Sequence, residues 1–423
     1  MEDNMEKIRV KGGNTLAGEV NISSAKNSVL PIIVACILCG DEITIKEAPL
    51  LEDVYVICNV LKELNAEVEI NKITRELKIN TKNLIPNNAN SELIKKMRAS
   101  FLIIGPMITK FGYCKLSHPG GCNIGTRPID LHLKGLKALG AEISIGHGYV
   151  EAKAKELIGN RIYLDFPSVG ATENIMMAAV FAKGTTIIEN AAEEPEIWDL
   201  ANFLNSMGAK VYGAGQGKIT IEGVNSLKPV VYKPIFDRIE AGTFMVAAAI
   251  TKSEIIINGV NEEHLRPTIE KLKECGVIME LVNGKMRVDG RGELRPVDIK
   301  TLPYPGFPTD MQAQMMALLS LTKGSSIISE TVFENRFMHV QELLRMGANI
   351  KIDGRTAIIE GVDRLTGAGV KATDLRAGAA MILAGLVAEG ETEISEVYHI
   401  DRGYVNIEEK LKMLGADIER IYE

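Results

Sequence analysis

The stretch His118-Pro-Gly-Gly-Cys-Asn-Ile-Gly-Thr-Arg127 places a thiol, Cys122, five residues before a guanidinium, Arg127, in a loop with three glycines within six positions. Glycine has no Cβ, so such a loop can move and can approach a ligand closely. A thiol can donate a proton or attack as a nucleophile, and an Arg beside it suits a phosphate or a carboxylate. Two readings stay open on the stretch alone: a reactive loop over an anion, or a surface turn with an incidental cysteine. A zinc site from Cys114, His118 and Cys122 is the weaker reading, because no fourth ligand follows at finger-like spacing.

The elements that must position this loop repeat along the chain. Leu61-Lys-Glu-Leu-Asn-Ala-Glu-Val68 returns from Leu136, Leu204, Leu272, Leu343 and Leu411, at intervals of 75, 68, 68, 71 and 68 residues. Each copy has the pattern of a last helical turn, a Gly or Asn at the C-terminal cap, and an alternating strand. Upstream of each copy lies a run apolar on nearly every side, such as Ile175-Met-Met-Ala-Ala-Val-Phe181 and Phe244-Met-Val-Ala-Ala-Ala-Ile250. An all-round apolar helix is a buried one. The expected unit is therefore a buried helix, a strand, an outer amphipathic helix and a closing pair of strands, six times over. The extended, proline-containing Ser226–Pro234 marks the boundary between two groups of three units.

Counting back fourteen residues from the terminal glycines puts Lys26, Arg98, Gly170, Asp310 and Arg376 at helix starts, with Arg238 beside the fourth start at Ile239. A helix N-terminus offers unpaired N–H groups and partial positive charge, and so attracts anions. The alternative is that each basic residue pairs with a carboxylate at the domain surface. Arg127 and Arg402 each lie nine residues before their repeat leucines, Leu136 and Leu411, and Arg336 lies seven before Leu343. They belong at equivalent places and can line a shared cleft if the two halves face each other.

Length and composition bound the rest. A chain of 423 residues exceeds one ordinary core. With 46% hydrophobic and 24% charged residues it has the profile of a soluble globular protein. A net charge of −7 argues against a nucleic-acid partner, while local basic clusters remain compatible with a small anionic substrate. Met1–Lys7 lacks a signal pattern, and apolar runs such as Val29–Leu38 fall short of the ~20 residues of a membrane span. Cys36 and Cys39 form a C-x-x-C inside an apolar helical run, which reads as core thiols rather than a redox pair. The expected compartment is the cytosol.

The motifs Ser24-Ala-Lys-Asn27, Met97-Arg-Ala-Ser100, Pro119–Pro128, Ser168-Val-Gly-Ala-Thr172, Phe307–Gln314, Glu330–His339, Ala372-Thr-Asp-Leu-Arg376 and His399-Ile-Asp-Arg-Gly403 together resemble those of the UDP-N-acetylglucosamine 1-carboxyvinyltransferase family, essentially end to end. The resemblance implies two inverse α/β barrels of threefold pseudosymmetry with helices inside. It also implies that the N-terminal strand joins the C-terminal half, which divides the chain into 1–24 with 234–423 and 25–233. The implied substrates are phosphoenolpyruvate and UDP-N-acetylglucosamine, with no cofactor and no metal.

By the same resemblance, Cys122 is the acid that protonates the methylene of phosphoenolpyruvate, and it can bond to it covalently. Lys26 with Asn27, Arg127 and Arg402 hold its phosphate and carboxylate. Asp310 contacts the sugar hydroxyl as base or orienter, and its place among arginines should keep it ionised. Arg98, the run Arg127, Pro128, Ile129, Asp130 and Leu131, the run Phe166, Pro167, Ser168 and Val169, and Val332 match the nucleotide-sugar positions. Arg336 and Arg376 support the anion cluster. Phe166 stands where some members carry Lys, so the contacts expected there are the backbone of Ser168 and Val169. The nearest alternative is the shikimate-pathway enolpyruvyl transferase, which shares the fold but lacks a Pro-Gly-Gly-Cys loop of this kind. A non-enzymatic ring of repeated units would need basic helices lining a hole, whereas the repeated helices here are apolar.

Overall fold

The computed structural model describes residues 6–86, 91–118, 120, 124, 125 and 128–422. Cys122 and Arg127 lie outside the described residues. The sixfold unit of the sequence is the unit of the fold. Its buried helices run Lys26–Cys39, Ile104–Phe111, Val169–Ala179, Arg238–Ile250, Gln312–Leu319 and Leu375–Gly385. Two are entered through a 3-10 turn, Arg98–Ile103 and Thr309–Met311, so those starts also fall on Arg98 and one residue from Asp310. The repeat positions Gly140, Gly208, Gly276, Gly347 and Gly415 all take φ between 93° and 106°. Asn65, in the first copy, sits at φ 70°. A residue that ends a helix by turning left-handed is best served by Gly and next by Asn, which is why the motif tolerates those two.

Five sheets of the described residues share one strand order. In the first unit Val231–Tyr232 runs parallel to Glu42–Ile45, which pairs antiparallel with Glu76–Asn80, which pairs antiparallel with Glu67–Asn71. The unit that ends the chain lacks a closing strand of its own. Glu6–Lys11 supplies it, with Ile8 opposite both Ile394 and Arg420. Ala17–Asn21 then adds a parallel edge to Glu254–Asn258. Strands alternate buried and exposed residues while the central helices are buried almost throughout, so in each compact unit the helices form the inside and the sheets the outside.

The chain divides into two compact units at Ser23/Ser24 and Ile235/Phe236, with Ile124 and Gly125 grouped with the unit that holds both termini. Buried carboxylates tie down each unit at these crossings. In the terminal unit Glu240 accepts from the Ser23 amide at 2.7 Å and from Lys410 Nζ at 2.6 Å. In the other unit Asp199 accepts from the Ile235 amide at 3.1 Å, from the Tyr232 hydroxyl at 2.6 Å and from the Ser28 hydroxyl. Among the described residues no helix is long and apolar enough to cross a membrane.

Candidate functional site

In the terminal unit the starts of two buried helices and one loop converge on Asp310. Its carboxylate is 26% exposed and accepts from Arg336 Nη2 at 2.7 Å on Oδ1, and from Arg376 Nε and Nη2 at 3.2 and 3.1 Å on Oδ2. Both arginines are buried. Asp374 caps the Leu375–Gly385 helix by accepting from the amides of Arg376 and Ala377, which fixes the first turn from which Arg376 projects. The guanidinium of Arg376 lies 5.2 Å from the ring centroid of Tyr404. Burial works against its charge, yet Tyr404, Asp310 and Asp237 around it hold its pKa above the ordinary guanidinium value.

A buried polar knot joins the Arg238–Ile250 and Gln312–Leu319 helices to Tyr404. The Tyr404 hydroxyl meets the Thr243 hydroxyl at 2.9 Å, and Gln314 Nε2 reaches both oxygens at 3.2 Å. The same nitrogen donates to the Asp310 carbonyl at 2.9 Å. Arg402, at the C-terminal end of the short helix Tyr398–Asp401, is partly exposed, and burial together with the Arg402 charge lowers the pKa of its neighbour His399. The Val332 amide is held by Glu330 at 2.9 Å. Two residues of the glycine-rich loop also belong to this unit: the Ile124 carbonyl accepts from the Asn335 amide at 3.0 Å, and a Cβ on Gly125 would lie 2.5 Å from the Glu334 carboxylate.

The second unit gathers several of the positions expected at the nucleotide sugar around a histidine. His132, on the helix Asp130–Ala138, is buried, packs edge-on to Phe101 at 5.3 Å, and lies 3.0 Å from Asn174 Nδ2. The same amide nitrogen donates to the Phe101 carbonyl, so it is a donor to the imidazole also, and His132 Nδ1 is the acceptor. Burial and the nearby Arg98 charge lower the His132 pKa to about 3, so the ring is neutral. A Cβ on Gly170 would meet this ring at 3.1 Å. The Arg98 turn, the Pro128–Leu131 run and the helix that starts at Val169 thus meet at one imidazole. Ser168 caps that helix through the Ala171 amide, and Phe166 is 45% exposed. Lys26 sits at its helix start and donates to Asp53 at 3.1 Å, both side chains being buried, while Asn27 beside it is exposed.

Comparison with known proteins identifies the lineage. The family described as EPSP synthase (3-phosphoshikimate 1-carboxyvinyltransferase) matches residues 10–411. The enolpyruvyl transferase NikO of Streptomyces tendae is similar in structure, with a TM-score of 0.90 over 99% of this chain and 100% of its own at 23% identity. An EPSP synthase from Acinetobacter baumannii follows at TM-score 0.76 and 18% identity over 98% and 100% of the two chains. These two establish the enolpyruvyl transferase fold. UDP-N-acetylglucosamine 1-carboxyvinyltransferase 2 of Clostridium tetani is 67% identical over 417 residues, which covers 99% of this chain and all of that one. The chain belongs to the UDP-N-acetylglucosamine 1-carboxyvinyltransferases. A relative of the same name (number 1) from Clostridium acetobutylicum is 65% identical over equal coverage.

In this carboxyvinyltransferase several residues of the site escape a reading of the sequence. Thr309 and Glu330 stand inside recognisable motifs, but only the bonds of the Thr309 hydroxyl to Arg336 and to Glu330 connect them to the Asp310 cluster. Tyr404, Gln314 and His132 carry the signal of a polar residue on a buried helix or beside one, which a core packing pattern conceals. Cys114 faces inward from the strand Tyr113–Ser117, where burial pushes its thiol up, and His118 is exposed; among the described residues no three His, Cys, Asp or Glu gather as a metal group. Cys36 is buried as expected of a core thiol, while Cys39 is half-buried.

Proposed function

We propose that this chain transfers the carboxyvinyl (enolpyruvyl) group of phosphoenolpyruvate to the 3′-hydroxyl of UDP-N-acetylglucosamine with release of phosphate, the committed step of peptidoglycan synthesis. End-to-end identity of 67% with a carboxyvinyltransferase of that acceptor is the observation that carries the reading. The clasp of Asp310 between two buried arginines supplies a chemistry to match.

The reaction is an addition followed by an elimination. Cys122 gives a proton to the methylene carbon of phosphoenolpyruvate, and positive charge develops at the carbon that bears the phosphate oxygen. The sugar 3′-oxygen bonds to that carbon, and its proton passes to Asp310, whose two oxygens are pinned but whose carboxylate keeps an exposed edge. The carbon–oxygen bond to phosphate then breaks, phosphate leaves with the electron pair and takes up the proton held by Asp310, and the methyl group returns a proton to the Cys122 thiolate as the double bond is restored. Lys26, Asn27, Arg127 and Arg402 hold the phosphate and carboxylate; Arg98, Pro128, Ile129, Asp130, Leu131, Phe166, Pro167, Ser168, Val169 and Val332 hold the nucleotide sugar. Arg336 and Arg376 fix Asp310 as an oriented acceptor. Positioning and charge compensation of this sort contribute several kcal/mol. The reading has the protein in the cytosol, with two domains, 1–24 with 234–423 and 25–233.

Phosphate release, measured with phosphoenolpyruvate and each acceptor in turn, tests this. Release with UDP-N-acetylglucosamine and none with shikimate 3-phosphate is the expected result. Release with shikimate 3-phosphate alone would make this chain the shikimate-pathway enzyme instead.

A further inference from the structure

Glu330 is 1% exposed and accepts four hydrogen bonds. Oε1 takes the Thr301 hydroxyl at 2.8 Å and the amides of Val332 and Phe333 at 2.9 and 3.1 Å; Oε2 takes the Thr309 hydroxyl at 2.8 Å. Thr309 Oγ1 also accepts from Arg336 Nη1 at 2.9 Å, and the other terminal nitrogen of Arg336 is the one on Asp310 Oδ1. A guanidinium can only donate, an ionised carboxylate can only accept, and a hydroxyl has a single proton. The hydroxyl proton of Thr309 therefore points at Glu330, and its lone pair is left facing Arg336. The direction of every bond from Arg336 to Glu330 is set by the two ends.

We propose that Glu330 and Thr309 are positioning residues for carboxyvinyl transfer, acting through Arg336 to hold the Oδ1 side of Asp310 in its reactive orientation. The inference rests on the role given to Asp310 above. Arg336 projects from an irregular segment, residues 331–339, in which no helix fixes its side chain. Its fork is located instead by three contacts: the Thr309 hydroxyl, the Asp310 carboxylate, and the Phe333 ring 5.4 Å away. Glu330 orders two of those, because it binds both the Thr309 hydroxyl and the Phe333 amide. Without the Thr309 acceptor Nη1 loses its partner, and the fork is held less firmly against the Oδ1 side of Asp310.

Substitution separates this from a purely structural role. Thr309→Val keeps the shape and removes the hydroxyl; kcat should fall about 10- to 100-fold, as for loss of a hydrogen bond to a charged group, with the KM for UDP-N-acetylglucosamine within about threefold of wild type. Thr309→Ser should recover most of the loss. Glu330→Gln turns an amide nitrogen toward Thr309 and should lower kcat less, by about 3- to 30-fold. The double variant should be no worse than Thr309→Val within about threefold, since the Gln oxygen still accepts from the Phe333 amide and the change reaches Arg336 only through that hydroxyl. A Thr309→Val enzyme with wild-type kcat, or losses that multiply in the double variant, would overturn the proposal. If Glu330→Gln does not fold, the Val and Ser pair at Thr309 decides. A crystal structure of Thr309→Val judges the inference apart from any activity: Arg336 Nη2 displaced from Asp310 Oδ1 is expected, and an unmoved Arg336 refutes it even if transfer itself has been confirmed. Absence of transfer in the wild type would instead count against the proposed function.

Discussion

Asp310→Asn is the perturbation whose consequences can be worked out most fully. Asn has the same volume but no charge, and one of its two terminal atoms is a donor that must face a donor. Three bonds from two buried arginines lose their ionic acceptor. Removing one partner of a buried ion pair costs about 3–5 kcal/mol. Because the carboxylate is 26% exposed, water relieves part of this, and about 2–3 kcal/mol is the working value. In a unit of about 200 residues that lowers the melting temperature by roughly 5–10 °C. The rate should suffer more than the stability. A displaced or missing proton acceptor is worth about 10²–10⁴ in kcat. Differential scanning calorimetry gives the first quantity, and steady-state phosphate release well below the melting range gives the second. A variant that melts with wild type would show that the arginine clasp contributes nothing to folding. One that turns over within threefold of wild type would remove Asp310 from the mechanism.

Three further outcomes follow from the same reasoning. His132, with its pKa lowered to about 3 from 6.5, refuses a proton that the unfolded chain accepts. Its contribution is complete above the unfolded value and is lost as pH falls, with about 2 kcal/mol gone by pH 5 at ~1.4 kcal/mol per unit. Melting curves of His132→Gln should therefore be flatter than wild type between pH 7 and 5, and equal slopes would contradict this. Lys410→Met leaves Glu240 buried without its 2.6 Å cation and should cost about 3–5 kcal/mol, partly recovered when Glu240→Leu is added; a neutral single variant in urea unfolding would refute the pairing. Intact-mass measurement should find one fosfomycin adduct on the wild type and none on Cys122→Ala, whereas an unmodified wild type at saturating drug would argue against a reactive Cys122.

The fold was legible because its signals are local and repeated. A left-handed cap needs Gly or Asn, a buried helix needs apolar residues all round, and six copies at near-constant spacing make both visible. The ends of the sheets were less so. Glu6–Lys11 completes a sheet with residues near the opposite end of the chain, and nothing in its own alternation says which sheet that is. The cluster around Asp310 was legible in its members more than in its bonds. Asp310, Arg336 and Arg376 each stood in a motif, but their meeting depends on contacts 26 and 66 residues apart. Glu330 was concealed by its type, since a carboxylate beside a strand usually marks a solvated turn, and here it is a fully enclosed acceptor. Asp199, Glu240 and Lys410 were hidden for the same reason: charged residues on helices read as solvated until the fold buries them against the crossings.

The proposed transfer of a three-carbon unit, with Cys122 as acid and Asp310 as proton acceptor, is tested most directly by product analysis. Phosphoenolpyruvate and UDP-N-acetylglucosamine are incubated with the protein, and both the nucleotide and the phosphate are quantified by mass spectrometry and colorimetry. The predicted result is a nucleotide sugar heavier by one carboxyvinyl group, in equal amount to the phosphate, and a large fall in both for Cys122→Ala and Asp310→Asn. Phosphate released while the nucleotide sugar stays unchanged would mean hydrolysis rather than transfer, and would contradict the account.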